Sequence, residues 1–332
     1  MKISVVIACK GFNPYLEECL KHCLDLDYPD YEIIVLPDRE FAYAHPKVKI
    51  IPTGEVSPPV KRNRILGNLS GELIAFIDDD AYPEKNWLKI GAGYFKAQEV
   101  GAIGGPAVTP QKDSLRQFAS GLVYESFLVS DGFTYRYFPE REREVDDYPT
   151  CNFIIRREVF EETKGFKTNF WPGEDTFLCL EITKKLHKKI LYVPELLVYH
   201  HRRPLFFPHL KQISNYALHR GYFAKRFPET SFKLSYFVPS LFFITLVFSG
   251  FMGIFWDIFM TVFFFVVISY VFVSFCFSIF KVISLDKCRN NNLNPYNRFK
   301  LFIFLFSGII LTHLVYGVYF LKGLVSRKLK EE

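Results

Sequence analysis

An α/β domain with a mostly parallel sheet, followed by C-terminal transmembrane helices, is the fold class this sequence predicts. Three observations predict it. Short apolar runs alternate with helical patterns through the first half of the chain, the signature of a sheet covered on both faces by helices. Acidic residues gather just beyond the ends of two of those runs, at Asp38 and at Asp78-Asp79-Asp80. From Leu234 onward the chain is dominated by Phe, Val, Ile and Leu, in stretches near the roughly 20 residues that cross a bilayer.

The elements follow in order. Ile3 to Ala8 is a continuous apolar run, as expected of a strand buried on both faces. The run is too short for a signal-peptide core of about 7–15 residues. A buried first strand is therefore the expectation, with the soluble domain in the cytosol. Pro14 opens a helix in which Leu16, Cys19, Leu20, Cys23 and Leu24 fall at helical spacing. Tyr31 to Leu36 and Val48 to Ile51 read as strands, and Val60 to Leu69 as a helix. Leu73 to Ile77 is a strand that runs directly into the three aspartates. The seven cysteines are odd in number and scattered without a CxxC pair, so reduced thiols are expected.

The net charge of +6 and the 37 phenylalanines are averages over two unlike regions. Residues 1–204 form the expected catalytic domain. Residues 205–233 interleave Phe206, Phe207, Tyr216, Tyr222, Phe223 and Phe227 with Lys211, Arg220, Lys225 and Arg226. That mixture suits a helix lying in the headgroup layer, and equally a surface helix of the domain. Within 234–322 three spans are expected, at 236–253, 258–280 and 299–321, followed by a polar tail at 323–332. The turn between the first two falls at Gly253 to Asp257, with Trp256 at the interface. The loop from Lys281 to Lys300 carries Lys281, Lys287, Arg289, Arg298 and Lys300, which points it to the cytosol. Three spans then put the tail outside, although Lys322, Arg327, Lys328 and Lys330 pull it inward. Either the tail is tolerated outside or one segment is re-entrant.

Three adjacent carboxylates at a strand end repel one another, and Asp is a poor strand residue. A divalent cation offsets that cost, taking one or two carboxylates and completing its shell with phosphate oxygens and water. A solvated acidic turn capping the next helix, through Asp80 or Glu84, is the plain alternative. Ligands of such sheets bind at the carboxyl ends of the strands, where these residues lie. His200-His201-Arg202-Arg203 follows another apolar run, Leu196 to Tyr199. One histidine there could approach the metal and an arginine could clamp a diphosphate; an interfacial basic turn fits as well.

Several ordered motifs carry a resemblance. Phe76-Ile77-Asp78-Asp79-Asp80-Ala81-Tyr82-Pro83 with Trp87-Leu88 resembles the DxD region of family 2 glycosyltransferases of the GT-A fold. Ser4 to Lys10, Tyr15 to Leu20 and Tyr28 to Val35 resemble that family's opening. Lys61-Arg62-Asn63 through Gly71 to Ala75, Asn152 to Arg157, Gly165-Phe166 and the Gly173-Glu174-Asp175-Thr176 stretch match further motifs. The likeness covers residues 3 to 225. It implies a GT-A, Rossmann-like catalytic domain that is inverting and membrane-anchored, with a UDP- or GDP-linked sugar as donor and Mg²⁺ or Mn²⁺ as cofactor. It implies that Asp78 and Asp80 bind the metal and that Asp38, Arg62, Asp78, Asp79 and Asn152 serve the donor. Where the family carries two acidic residues before the base-reading turn, this chain has Pro37 before Asp38. Glu174 and Asp175 are implied to be catalytic, Asp175 as the base. From the residues alone, the same acid pair also suits a helix N-terminus. No QxxRW motif is present, which argues for adding one sugar per encounter.

The expected acceptor is lipid-linked, of the polyisoprenyl type, or another glycan, in glycan or polysaccharide biosynthesis. Membrane lipids are expected partners and nucleic acid is not. Two other functions compete. A degenerate sugar-nucleotide-binding membrane scaffold would not need Asp78 to Asp80 or Glu174-Asp175. A nucleotidyltransferase would show a Gly-rich loop after the first strand, where only Gly11 stands.

Overall fold

A computed structural model describes residues 1–289 and 293–330, without the side chains of 286–289. The chain forms two compact units. The first comprises Met1–Pro110, Tyr135–His201 and the described residues from Lys328. The second comprises Gln111–Thr134 and Arg202–Arg327.

Eleven strands belong to the first unit: β1 (Ile3–Ala8), β2 (Tyr31–Leu36), β3 (Val48–Ile50), β4 (Leu73–Asp78), β5 (Ala81–Pro83), β6 (Val100–Gly104), β7 (Ala107–Val108), β8 (Arg143–Val145), β9 (Asn152–Arg156), β10 (Lys189–Tyr192) and β11 (Val198–His200). Eight form one sheet in the order β3-β2-β1-β4-β9-β6-β10-β8. The β3-β2-β1-β4 half is parallel, as the alternation of strands and helices predicts. β9 then enters antiparallel to both β4 and β6, so the sheet as a whole is mixed. The apolar run of β9 carries no direction, and the sequence alone did not reveal the reversal. A second, three-stranded sheet has the order β5-β11-β7.

Local chemistry sets the ends of these elements. Asn13 caps the helix Pro14–Leu24 by accepting from the Tyr15 and Leu16 amides, and Pro14 supplies a preset first turn. That helix buries Leu16, Cys19, Leu20 and Cys23 against Val5, Ile33, Ala75 and Ile77 of the sheet. The helix expected from Val60 to Leu69 is instead Pro58–Asn63. Prolines at its first two positions start it early. Gly67, at φ +82°, lies in a left-handed turn that ends the helical region. The approach of β6 to the Leu196 backbone requires Gly105, where a Cβ would stand 1.9 Å from the Leu196 oxygen.

The second unit is helical. Among the described residues three helices are long and apolar enough to cross a membrane: Leu234–Met252, Asp257–Leu285 and Pro295–Val325. The last is 44% buried over its most apolar window, against 17% and 11% for the others, which makes it the hub of the unit. Its glycines are the reason. A Cβ on Gly323 would meet the Leu218 oxygen at 1.9 Å, and one on Gly317 the Pro239 oxygen at 2.6 Å. Small residues of this kind let helix backbones close on each other. The helix Phe207–Arg226 lies along this hub and buries His209, Ile213, Ala217 and Tyr222.

Two features depart from the sequence-based picture. The helices extend to Arg289 and restart at Pro295, so Lys281, Arg298 and Lys300 stand on helices rather than in a long loop. Asn294 caps the restart by accepting from the Asn297 amide at 2.8 Å. The side chains of Lys287, Cys288 and Arg289 lie outside the described residues. Residues 111–134, expected within the 1–204 domain, group instead with the helical unit. Their helix Leu115–Tyr124 packs Phe118, Leu122 and Val123 with Leu301, Leu305 and Ile309.

Candidate active site at the strand ends

The site grows from the end of β4. Asp78 is its last residue, and Asp79 and Asp80 form the turn into β5. In the small sheet β11 pairs antiparallel with β5, and its register sets His200 opposite Ala81. The His200 Nε2 therefore reaches the Asp80 Oδ1 at 3.0 Å. One ligand atom from each of Asp78, Asp80 and His200 lies within 4.8 Å of the others. Two carboxylates and an imidazole suit a hard or borderline divalent cation. The main chain tightens the arrangement, because the His201 amide donates to the Asp80 carbonyl at 3.0 Å. His201 Nε2 also meets Glu18 Oε2 at 3.0 Å, which ties the end of β11 to the helix Pro14–Leu24.

The helix Pro58–Asn63 supplies two buried cations. Arg62, only 5% exposed, donates from Nη2 to Asp78 Oδ1 at 2.8 Å and from Nη1 to Glu174 Oε1 at 3.0 Å. Its guanidinium lies about 6 Å from the ring centres of Phe76 and Phe166. One side chain thus joins the acidic end of β4 to the N-terminus of the helix Glu174–Leu180. Lys61 donates to Asp38 Oδ1 at 2.5 Å, to Thr53 Oγ1 at 2.9 Å and to the Gly54 carbonyl at 3.2 Å. Asp38 is thereby fixed beyond the end of β2.

The acid pair at the helix start is electrostatically loaded. Burial pushes the Glu174 carboxyl above its usual range, Arg62 pulls it back, and Asp78 adds to the rise. Burial, then the neighbouring Glu174 and Asp147, push Asp175 up to about 8. Asp147 is itself held by Arg136, whose Nη2 reaches its carboxylate at 3.2 Å.

The structure brings Asp78, Asp80, Arg62 and Glu174 together, with Asp175 adjoining. Asp79 stands beside them and accepts from Asn13 Nδ2 at 3.4 Å. Asn152 is placed elsewhere. It is fully buried, accepts from Trp87 Nε1 at 2.9 Å and donates to the carbonyls of Leu196 and Pro106. Its amide ties β9 to the core, because a buried polar group must find internal partners, and it does not line the acidic group. Sequence reasoning missed Lys61, which adjoins Arg62 in the same motif, and the Glu18–His201 pair, which nothing in the sequence signals.

The raised Asp175 sets a pH dependence of stability. Between the unfolded carboxyl's pKa near 4 and about 8 the folded state holds the extra proton. Its stabilisation is present below that window and is lost as the pH rises through 8. Asp175→Asn removes the titration. The melting temperature of the wild type should therefore fall relative to Asp175→Asn between pH 5 and 8.5. Parallel melting curves across that range would contradict the placement of Asp175.

Comparison with known proteins bears on the family and the fold. Residues 4–164 match the family described as glycosyl transferase family 2. A glycosyltransferase named AglE, from Haloferax volcanii, is 24% identical over 52% of this chain and 58% of its own length. A glucosyl-dolichyl phosphate glucuronosyltransferase of the same organism is 24% identical over 60% of this chain and 69% of its own. The chain thus spans only part of the curated relatives it matches. Among solved structures, a Pyrobaculum calidifontis mannosyltransferase in complex with GDP-Man and Mn²⁺ shares the fold. Its TM-score is 0.50 at 17% identity, over 68% of this chain and 64% of that one.

Proposed function

From the match of residues 4–164 to glycosyl transferase family 2 we propose that this chain is a membrane-anchored, inverting glycosyltransferase of that family. It moves a sugar from a UDP- or GDP-linked donor to a polyisoprenyl-linked acceptor. The observation that carries the reading is the convergence of Asp78, Asp80 and His200 beside the Asp78–Arg62–Glu174 bridge.

The donor set fits a divalent cation, Mg²⁺ or Mn²⁺, held by Asp80 with Asp78 and His200. When bound on a diphosphate, such a cation supplies counter-charge to the leaving group without a proton. The chain's own residues do the rest. Arg62 holds Asp78 and Glu174 on one guanidinium. Lys61 holds Asp38 ready for the base edge, and Asp79 belongs to the same donor side. Asp175 takes the proton of the acceptor hydroxyl. With its carboxyl raised to about 8, it lies near the working range of a general base. Turnover limited by that proton transfer rises with pH as Asp175 ionises. One base acting in a single displacement inverts the anomeric centre, and Glu174 orients the base's helix through Arg62.

The acceptor reading is supported by the three apolar helices and by the dolichyl phosphate in one relative's name. Lys211 and Arg226 are exposed on Phe207–Arg226 and suit the phosphate of a lipid carrier. Lys225 is directed to the Ser326 carbonyl, and Arg220 lies over the Tyr236 ring at 4.8 Å. In this reading the catalytic unit works on the cytoplasmic side of a multi-pass membrane protein, where nucleotide sugars are made.

The test supplies radiolabelled UDP- and GDP-sugars to membranes carrying the chain, followed by extraction into organic solvent. Label is expected in a lipid fraction, with inverted configuration, and EDTA should abolish it. Asp175→Asn should lower turnover by roughly 10²–10⁴-fold with donor binding kept. Label confined to water-soluble glycan, or full activity in EDTA, would reject the proposal.

A further inference from the structure

Residues 111–134 leave the strand-bearing unit in sequence and return to it at Tyr135, yet they pack with the membrane helices. The contacts are specific. Val123 and Leu205 close on the backbone of Gly308, where a Cβ would meet them at 2.9 and 3.0 Å. Glu125, almost fully buried, pairs with Lys281 of Asp257–Arg289 at 3.2 Å. Ser120 Oγ, His209 and Thr312 Oγ1 form a buried hydrogen-bonded chain through both imidazole nitrogens, at 2.8 and 2.9 Å.

The tip of the segment is Phe127–Ser130. The Leu128 carbonyl accepts from His313 Nε2 at 2.8 Å, so His313 Nδ1 must accept from the Tyr270 hydroxyl at 2.6 Å. The Tyr270 ring in turn lies 4.4 Å from that of Phe242. Both rings belong to candidate spans, so Leu128 stands level with residues inside two of them. The tip is built for poor solvation. Ser126 Oγ accepts the Leu128 amide, the Ser126 carbonyl accepts the amides of Val129 and Ser130, and Ser130 Oγ donates to the Tyr124 carbonyl. Phe127–Ser130 is a single helical turn, and so short a stretch persists at membrane depth only when its polar groups are satisfied internally. Against this background Phe127 is 63% exposed. The polar residues Asp131 and Gly132 follow, and then Phe133, whose ring lies 5.2 Å from the Lys233 ammonium and 5.6 Å from the Tyr236 ring. Aromatic rings beside a lysine mark the headgroup layer.

We infer that residues 126–130 are a membrane-inserted tip, with Phe127 seated among lipid acyl chains just below the headgroups. The occupant around the exposed Phe127 is lipid hydrocarbon, because the adjacent Leu128 is hydrogen-bonded to His313 within the candidate span Pro295–Val325. Asp131 and Gly132 stay at the headgroup level. The inference rests on the reading that the apolar helices lie in the bilayer.

The experiment uses the full chain in phosphatidylcholine–phosphatidylglycerol vesicles, with or without 6,7-dibrominated acyl chains. Emission of Phe127→Trp is measured as a difference from the wild type, which carries Trp87, Trp171 and Trp256. Phe265→Trp, 71% exposed on Asp257–Leu285, reports whether the helices are in lipid. Phe138→Trp, on the first unit, is the aqueous control. Blue-shifted Phe127→Trp emission that the brominated chains quench, with Phe138→Trp unaffected, is the expected result. If Phe265→Trp is quenched and Phe127→Trp is not, the tip is overturned. Quenching of Phe127→Trp by aqueous iodide would place it in water, and protection from both quenchers would place it under protein. If Phe265→Trp itself escapes the brominated chains, the membrane reading fails first.

Discussion

One buried guanidinium holds the acidic centre together. Arg62 donates to Asp78 on one side and to Glu174 on the other, and flanking phenylalanine rings shield it from water. Asp78, Asp80, Glu174 and Asp175 crowd the strand ends, and without a counter-charge among them the arrangement would be strongly repulsive. Removing one partner of a buried ion pair typically costs about 3–5 kcal/mol, because the other charge is left stranded. Arg62 therefore does more than neutralise. It couples the end of β4, where a cation fits, to the helix whose first turn carries the acid pair.

That coupling explains how neighbouring carboxylates can take different roles. Asp78 pairs with Arg62 and lies close to Asp80 and His200. Glu174 shares the same guanidinium. Among the described residues no cation pairs directly with Asp175, and burial together with its acidic neighbours raises it to about 8. Burial and neighbouring charge, rather than residue type, set how readily a carboxylate takes a proton. The second unit shows the complementary case. Burial lowers His209 to about 4, so it stays neutral and can bridge Ser120 and Thr312 as donor on one nitrogen and acceptor on the other.

Much of the parallel half-sheet was legible, because buried strands write themselves as unbroken apolar runs. β1, β2 and the helix opened by Pro14 stand where Ile3 to Ala8, Tyr31 to Leu36 and the Leu16 to Leu24 spacing put them. Strand direction was not legible at β9, since Phe153 to Ile155 reads alike in either sense. The grouping of residues 111–134 was hidden for a similar reason. Phe118, Leu122 and Val123 look the same whether they pack on a sheet or on a membrane helix. In the site, the aspartates announced themselves by their mutual repulsion. His200 could be read as a ligand or as part of a basic turn, and only the pairing of β11 with β5 brings it to Asp80. The position of Asn152 was not legible either, because an asparagine ahead of an apolar run does not reveal that its amide meets the Trp87 indole and two carbonyls.

The central claim is that Asp80 and His200 share a divalent cation beside the Arg62 bridge. Pulsed electron paramagnetic resonance of Mn²⁺ bound to the purified full chain, with UDP or GDP present, tests it directly. A histidine nitrogen coupled to the manganese is expected in the wild type and should vanish in His200→Ala while Mn²⁺ remains bound more weakly. Bound Mn²⁺ with no nitrogen coupling in the wild type, or coupling that survives in His200→Ala, would contradict the account.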